Sequence, residues 1–366
     1  MNFNEYVGNV HLHTTCSDGT ATHEEIVRIA QSAGLDFVIP TDHNVLVKGK
    51  EGWYGHTLLL VGEEVHDTQR VPEANHYLAF NITEDVASYA KNPQALIDAV
   101  NAQGGFGFIA HPFEHSAPLV NEAAFPWVDW TVTGYTGLEI WNYMSEFKAH
   151  LPNTLQAVLL VYFPQAAMRG PFPETLARWD ELLRTRKVVA ICGSDAHAIT
   201  YHLGPLLREV FSYRHLFRAS NLHILTEETF NGQLDHDKKV IYDALREGHC
   251  FTAYDLLGEA RGFRFTATSA MLVTDCKSGG SKTAEAIMGD EITLQSQVLF
   301  EVSSPQRAYI RLLRDGTIVA HTRGKKLHHT AREQGVYRVE AYRRCFFRKR
   351  GWVFTNPIYV RAPNSS

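Results

Sequence analysis

The stretch VGNVHLHTTCSDG, residues 7–19, decides how this chain reads. Val7 to His13 is an apolar-rich run that reads as a strand. Alternate strand residues face the same side, so the imidazoles of His11 and His13 project together. Asp18 follows in a short polar loop. Thr22 then stands where a helix N-cap belongs, and Glu25, three residues on, completes a capping box. Ile26, Ile29, Ala30 and Ala33 share one face, and Gly34 is a natural stop. This predicts a helix over Thr22 to Ala33, directly after a strand that delivers histidines and a carboxylate to its end.

The same alternation continues outward. Phe37 to Thr41, Leu58 to Val65, Tyr77 to Phe80, Phe106 to Ala110, Leu138 to Trp141 and Val188 to Cys192 read as strands. Pro93 to Gln103, Pro173 to Arg186 and Lys239 to Glu247 read as helices. Strands alternating with helices predict an α/β fold with a mostly parallel sheet, open or closed into a barrel. Beyond about residue 258 the helical period is absent. Strand-like runs such as EITLQSQVLFEVSS and GVYRVEAYRR alternate with turn signals at Asp315-Gly316 and Arg323-Gly324. This predicts an all-β sandwich, and hence two domains, residues 1–257 and 258–366.

Composition narrows the function. A chain of 366 residues that is 45% hydrophobic can build a sizeable core. The net charge of -5 argues against a protein that coats nucleic acid, although a nucleotide substrate or a local basic pocket stays open. Five scattered cysteines with no CxxC pair form neither a disulfide framework nor a zinc ribbon. No signal-peptide pattern and no run long enough to span a bilayer is present in the sequence. The expectation is a cytoplasmic protein that acts on a small molecule and has no membrane partner. The outlier is histidine, of which there are 19.

Those histidines fall at strand ends. His11 and His13 end the first strand, and Asp42-His43 ends the second. Glu63-Glu64 ends the third, His76 opens HYLAF, His111 ends FGFIA, and Asp195 and His197 end VVAICGSDAH. In parallel α/β architectures the C-terminal edge of the sheet is where sites are built. Imidazole nitrogens and carboxylate oxygens suit zinc, manganese or iron. With Asp18, seven or more such ligands are too many for one ion, so two or three divalent metals are expected, bridged by at least one carboxylate. Clustered cations lower the pKa of a bound water toward neutrality and polarise a scissile bond, which makes hydrolysis the expected chemistry. Cys16 lacks partner spacing, so a thiol nucleophile fits poorly.

HLHTTCSDG, PTDHN, GEEV, NHYLAF, IAHPF and GSDAH, in this order over roughly residues 9–197, resemble the motifs of the PHP (polymerase and histidinol phosphatase) family. The resemblance implies a distorted (βα)7 TIM-like barrel with a trinuclear metal site. It assigns His11, His13, Glu64 and Asp195 to a first metal. Glu64 would bridge to a second, held also by His76 and His111, and Asp18, His43 and His197 would hold a third. Glu64 is chosen over Glu63 because the family pattern reads Gly-x-Glu, which turns Glu63 to the opposite face. Catalytic roles fall on Glu64, Asp195 and His197. Glu139, in GLEIWN, matches a motif whose glutamate orients a ligand or faces substrate. His115 and His202 follow two motifs and are candidates for substrate binding. The C-terminal segment resembles the carbaryl-hydrolase-like (CehA/McbA) branch, which joins such a barrel to a β-sandwich.

The resemblance implies a phosphoesterase acting on a small phosphorylated metabolite or nucleotide. A carbamate, amide or ester hydrolase is the alternative reading, and a metal-binding or partner-binding module without catalysis is a third. A phosphate site should show converging Arg or Lys, and a carbamate site an aromatic wall. Arg70, Arg169 and Arg178 are the candidate cations. Trp127, Trp130, Trp141 and Tyr143, in the stretch 114–172 that apart from GLEIWN matches no motif, are more often packing than a substrate cage. His23, His66, His150, His215, His223, His236, His328 and His329 read as ordinary surface or core histidines.

Overall fold

The structure is a computed structural model that describes residues 3–120, 122–151, 160, 162–198, 200–203, 206–270 and 283–363. The fold is mixed α/β, rich in sheet and with few helices. The first helix is His23–Ala33. The Thr22 hydroxyl accepts from Glu25 N, and the Glu25 carboxylate accepts from Thr22 N at 2.8 Å. Gly34 ends it at φ 83°, a left-handed conformation that glycine adopts without a Cβ clash. Its buried face carries Ile26, Val27 and Ala30.

One sheet has six strands, in the order Val189–Gly193, Gly137–Asn142, Phe106–Ile109, Tyr77–Phe80, Gly62–Val65, Thr41–His43. Three of its five ladders are parallel, and the exceptions both involve one strand. Tyr77–Phe80 runs antiparallel to both neighbours, while the outer pairs are parallel. Only 11 residues separate Val65 from Tyr77, too few for a crossover helix, so the chain turns straight back. The reversal has a consequence for the site. The beginning of Tyr77–Phe80 lies at the edge where the neighbouring strands end, so His76 arrives beside His111 although it precedes its strand.

A second sheet of 14 strands contains the first strand, Asn4–Asn9, between Ser220–Thr226 and Phe37–Val38. The expected strand 7–13 ends early because residues 10–13 leave that ladder. They are held instead by Thr41 N on Leu12 O at 2.8 Å, His13 N on Ala196 O at 3.0 Å and Asp195 N on His11 O at 2.8 Å. The two sheets therefore meet along the HxH segment. Leu58 to Val65 likewise splits into Thr57–Leu59 on one sheet and Gly62–Val65 on the other.

Among the described residues after 258, all regular structure is strand, and the short 3-10 turn Asp255–Leu257 precedes it. The long hairpin Val298–Arg314 with Thr317–Ala331 and the strands Gly335–Cys345 and Arg348–Thr355 surround their own apolar cluster, which includes Phe265, Phe300, Ile310 and Trp352. This part is not insulated from the rest. Arg348–Thr355 pairs antiparallel with Cys250–Tyr254, so one sheet runs through both. Arg338, fully buried, grips Asp180 of the helix Pro173–Leu183 with two 2.7 Å bonds. No helix among the described residues is long and apolar enough to cross a membrane. Cys16, Cys192, Cys250 and Cys345 are free thiols.

Candidate metal centre

Glu64 is the hub. It is fully buried, and its two oxygens face different partners. Oε2 lies 3.0 Å from His11 Nε2, 3.1 Å from His13 Nε2 and 3.3 Å from His43 Nδ1. Oε1 lies 2.9 Å from His76 Nδ1 and 3.2 Å from His111 Nε2. Asp195 Oδ1 adds 3.1 Å to His13 Nε2 and 3.5 Å to His11 Nε2. Asp18 stands 3.3 Å from His197 Nε2 and 3.6 Å from His43 Nε2. All nine side chains singled out from the sequence thus converge. Their ligand atoms form three groups close enough to hold ions: His11–His13–Glu64–Asp195, Glu64–His76–His111 and His13–Asp18–His43–His197.

Neighbours orient these rings. His11 Nδ1 meets Glu139 Oε1 at 2.8 Å, which turns its Nε2 lone pair toward Glu64 and Asp195. His197 Nδ1 donates to its neighbour Asp195 O at 2.9 Å, which leaves Nε2 for Asp18. Gly193 leaves room for this arrangement. A Cβ there would sit 2.3 Å from both Glu139 Oε1 and the His11 Cβ. His111 and Asp195 hold φ of 28° and 54°. Such backbone in a non-glycine residue costs of order 1–3 kcal/mol and persists where the surroundings impose it. Glu63 points away, accepting from Val86 N at 3.1 Å; burial lifts its carboxyl to about 7.

The residues fit cations. His13 Nδ1, His43 Nδ1 and His111 Nδ1 are buried without a hydrogen-bond partner. Burial opposes charge on His11 and His13, yet the carboxylates around them win. Glu139, Glu64 and Asp195 hold His11 well above its usual range, and Asp195 and Glu64 lift His13 to about 9. Burial is overcome in the same way at His76, which Glu64 and Glu73 also lift to about 9. Burial alone would raise Glu64 and Asp195, but His11 and its neighbours hold both well below the carboxylate range. His43 goes the other way: burial and then His13 push it to about 3. Protons on imidazoles thus balance buried carboxylates, a role that divalent ions can take over. The side facing solvent is marked by Asp18, whose side chain is 52% exposed.

Three residues of the surroundings were not legible as site residues. Asn142 Nδ2 donates to Glu139 Oε2 at 3.1 Å and Asp195 Oδ2 at 3.2 Å, while its Oδ1 caps the helix Tyr143–Ala149. His66, read from sequence as ordinary, stacks on His76 with centroids 4.3 Å apart, and together with His43 and His76 it forms a further group able to hold an ion. Glu73 lies 3.0 Å from His76 Nε2 and 3.2 Å from His66 Nε2. Only the ExH spacing of Glu64 and His66 could have drawn attention to His66, and nothing local marks Glu73.

The substrate candidates separate. Glu139 lies within the cluster. His115 is half exposed and pairs with Glu174 at 2.8 Å. His202 is on the strand Thr200–Leu203, and its side chain lies outside the described residues. Trp127, Trp141 and Tyr143 are buried in the core, as the packing reading expects. Phe125 stacks on His76 at 5.4 Å. Of the candidate cations, Arg178 pairs with Glu181 and lies over the Trp130 ring. His215 meets Tyr143 Oη at 3.1 Å, and His223 is buried between Glu5 and Asp255.

No protein-family model matches the sequence, and no curated relative matches it. Solved structures give weak overall likenesses. A two-domain protein of Bacteroides vulgatus containing a predicted PHP-like metal-dependent phosphoesterase is 14% identical, with a TM-score of 0.45, over 97% of this chain and 95% of that one. A protein of Bifidobacterium adolescentis, provisionally described as a metal-dependent phosphoesterase, is 18% identical, with a TM-score of 0.31, over 57% of this chain and 94% of that one. An amidohydrolase of Chromobacterium violaceum, with bound sulfate and no metal, is 14% identical, with a TM-score of 0.26, over 57% of this chain and 95% of that one.

Proposed function

We propose that this chain is a metal-dependent hydrolase of the PHP kind, a phosphoesterase with two or three divalent ions, of manganese, iron or zinc. The observation that carries the reading is the sharing of Glu64. Its two oxygens serve two candidate ion groups at once, and a third group adjoins them through His13. A buried structural ion pair needs one partner, not five imidazoles around one carboxylate.

In this reading His11, His13, Glu64 and Asp195 hold one ion, Glu64, His76 and His111 a second, and Asp18, His43 and His197 a third. When bound, such ions supply Lewis-acid polarisation of the scissile group and lower the pKa of the attacking water. Glu139 and Asn142 keep His11 and Asp195 in place. His197, on the solvent side, has its Nδ1 committed to Asp195 O and would offer its Nε2 to the third ion, so its catalytic role would run through that ion. The two sheets joined at residues 10–13 are read as a distorted barrel, and residues 258–366 as a β-sandwich domain resembling the CehA/McbA branch.

A second reading, hydrolysis of an aryl carbamate, amide or ester, is favoured by Phe125, whose ring stacks against His76 and offers an aromatic wall. Metal content by elemental mass spectrometry, followed by a hydrolysis panel on the same sample, tests both. Two or three ions per chain with phosphoesterase turnover supports the first reading. Turnover only on carbamates, amides or carboxyl esters replaces it with the second. Less than one ion per chain, not restored by added manganese or zinc, removes both.

A further inference from the structure

The net charge of -5 hides a local reversal in the C-terminal β part. A groove of about 940 Å³ lies across the strands Val298–Arg314, Thr317–Ala331, Gly335–Cys345 and Arg348–Thr355. Arg307, Arg323, Arg343, Arg344 and Lys349 line it with Tyr309 and Tyr342, and no carboxylate does. Arg311, which touches the lining residue Tyr342, is paired with Glu340. Among the described residues, Arg307, Arg323, Arg344, Arg348 and Lys349 have no ion-pair partner. Uncompensated cations gathered on one face attract a polyanion.

The hairpin that carries these charges ends in two phenylalanines. Arg344 pairs across with Lys349 and Cys345 with Arg348, so Phe346 and Phe347 are the whole turn. Phe347 is fully exposed, at 102%, and Phe346 is 59% exposed. Both hold left-handed backbone, at φ 65° and 47°. A two-residue turn of this kind favours Asn-Gly, and bulky side chains there are strained. The chain therefore holds two large apolar rings in water, in a conformation that disfavours them, next to a cationic groove.

Against the expectation of no membrane partner drawn from the sequence, we propose that this end of the molecule docks on an anionic phospholipid surface. Phe346 and Phe347 enter the acyl boundary, and Arg344, Arg348, Lys349 and Arg323 meet headgroup phosphates. Interfacial binding of this type combines buried apolar area with attraction to anionic lipid and needs no spanning segment. Single-stranded nucleic acid is the competing polyanion, and Lys349 argues against it. Its ammonium lies 4.0 Å from the Tyr309 ring centroid and 4.1 Å from that of Tyr342, so the rings on which bases would stack already carry a cation. The docking surface is independent of the hydrolase reading, because none of its residues belongs to the histidine cluster.

The test is co-sedimentation of the full chain with vesicles of phosphatidylcholine alone and of phosphatidylcholine mixed with phosphatidylglycerol. Binding is expected to the mixed vesicles and to fall with added salt. The double variant R344A/K349A should weaken it about 30-fold, at roughly fivefold per cation near the surface. The double variant F346N/F347G should weaken it at least about tenfold through lost apolar transfer. That variant installs the residues the turn prefers, so unfolding is not the cause of the loss, and an unchanged or higher melting temperature confirms this. Equal binding to both vesicle types, or wild-type binding by F346N/F347G, overturns the proposal. Binding to a single-stranded oligonucleotide, lost in R344A/K349A, with none to vesicles, assigns the groove to nucleic acid instead.

Discussion

Replacing Glu64 by glutamine tests whether one carboxylate serves two ions. The change keeps the shape of a fully buried side chain and removes its charge. Oε2 would lose charge-assisted contacts at 3.0, 3.1 and 3.3 Å, and Oε1 at 2.9 and 3.2 Å. Removing one partner from a buried charged network costs about 3–5 kcal/mol. Expressed on the ions held there, that is roughly two to four orders of magnitude in affinity. Because Glu64 belongs to two of the three groups, Glu64→Gln should retain only the ion of the group His13–Asp18–His43–His197. His197→Ala should show the complementary pattern, losing that ion and keeping the other two. The assay is elemental mass spectrometry of each variant after identical dialysis, with circular dichroism to establish folding. Glu64→Gln retaining the full wild-type complement, or both variants losing the same number of ions, would refute the bridging assignment.

Four further expectations follow from the geometry. Glu139→Gln, which weakens the orientation of His11, should lower turnover about 10–100-fold while leaving the melting temperature close to wild type; unchanged kcat contradicts the orienting role. Adding manganese to ion-free protein at pH 7 should release protons, because His11, His13 and His76 carry them there; affinity should climb with pH toward about 9, and calorimetry in buffers of different ionisation enthalpy reads the proton count. His223 is buried, which opposes its charge, but Asp255 and Glu5 lift it to about 9. A raised imidazole stabilises fully below its unfolded value near 6.5, and the benefit fades as pH rises through 9. Wild type should thus lose up to about 3 kcal/mol over that window, and His223→Gln should lose less; parallel denaturant titrations at pH 6 and 9 decide it. Arg338→Ala strands Asp180, leaves Glu340 with Arg311 alone, and should cost about 3–5 kcal/mol of stability, measured by urea unfolding, with a loss under about 1 kcal/mol counting against the buried network.

The division of the chain at 257/258 is proposed on the change from mixed to all-β pattern, and the ladder between Cys250–Tyr254 and Arg348–Thr355 ties the two parts through backbone hydrogen bonds. Limited proteolysis should therefore leave residues 257–262 uncut in the native protein.

Local chemistry was enough to read much of this. The capping box at Thr22 and Glu25, the stop at Gly34 and the strand Tyr77–Phe80 depend on residues within a few positions of one another, and they stand where the sequence puts them. The nine converging side chains were legible for a related reason. A period of two aims His11 and His13 one way, and strand ends cluster at one edge of a sheet. Alternation sends Glu63 and Glu64 to opposite faces, and the resemblance to the family's Gly-x-Glu pattern chose Glu64.

Other features are long-range and leave no local trace. The antiparallel direction of Tyr77–Phe80 is set by a chain reversal, and it alone explains how His76, at the start of its strand, reaches residues at the ends of others. Asn142, His66 and Glu73 acquire their roles only from partners across the fold, and an isolated His or Asn carries no spacing signal. The basic groove is invisible in a chain of net charge -5, because its cations come from four strands and are brought together by cross-strand pairing. Residue type and period determined which atoms could do chemistry; strand direction and register, which depend on contacts distant in sequence, decided which of those atoms meet.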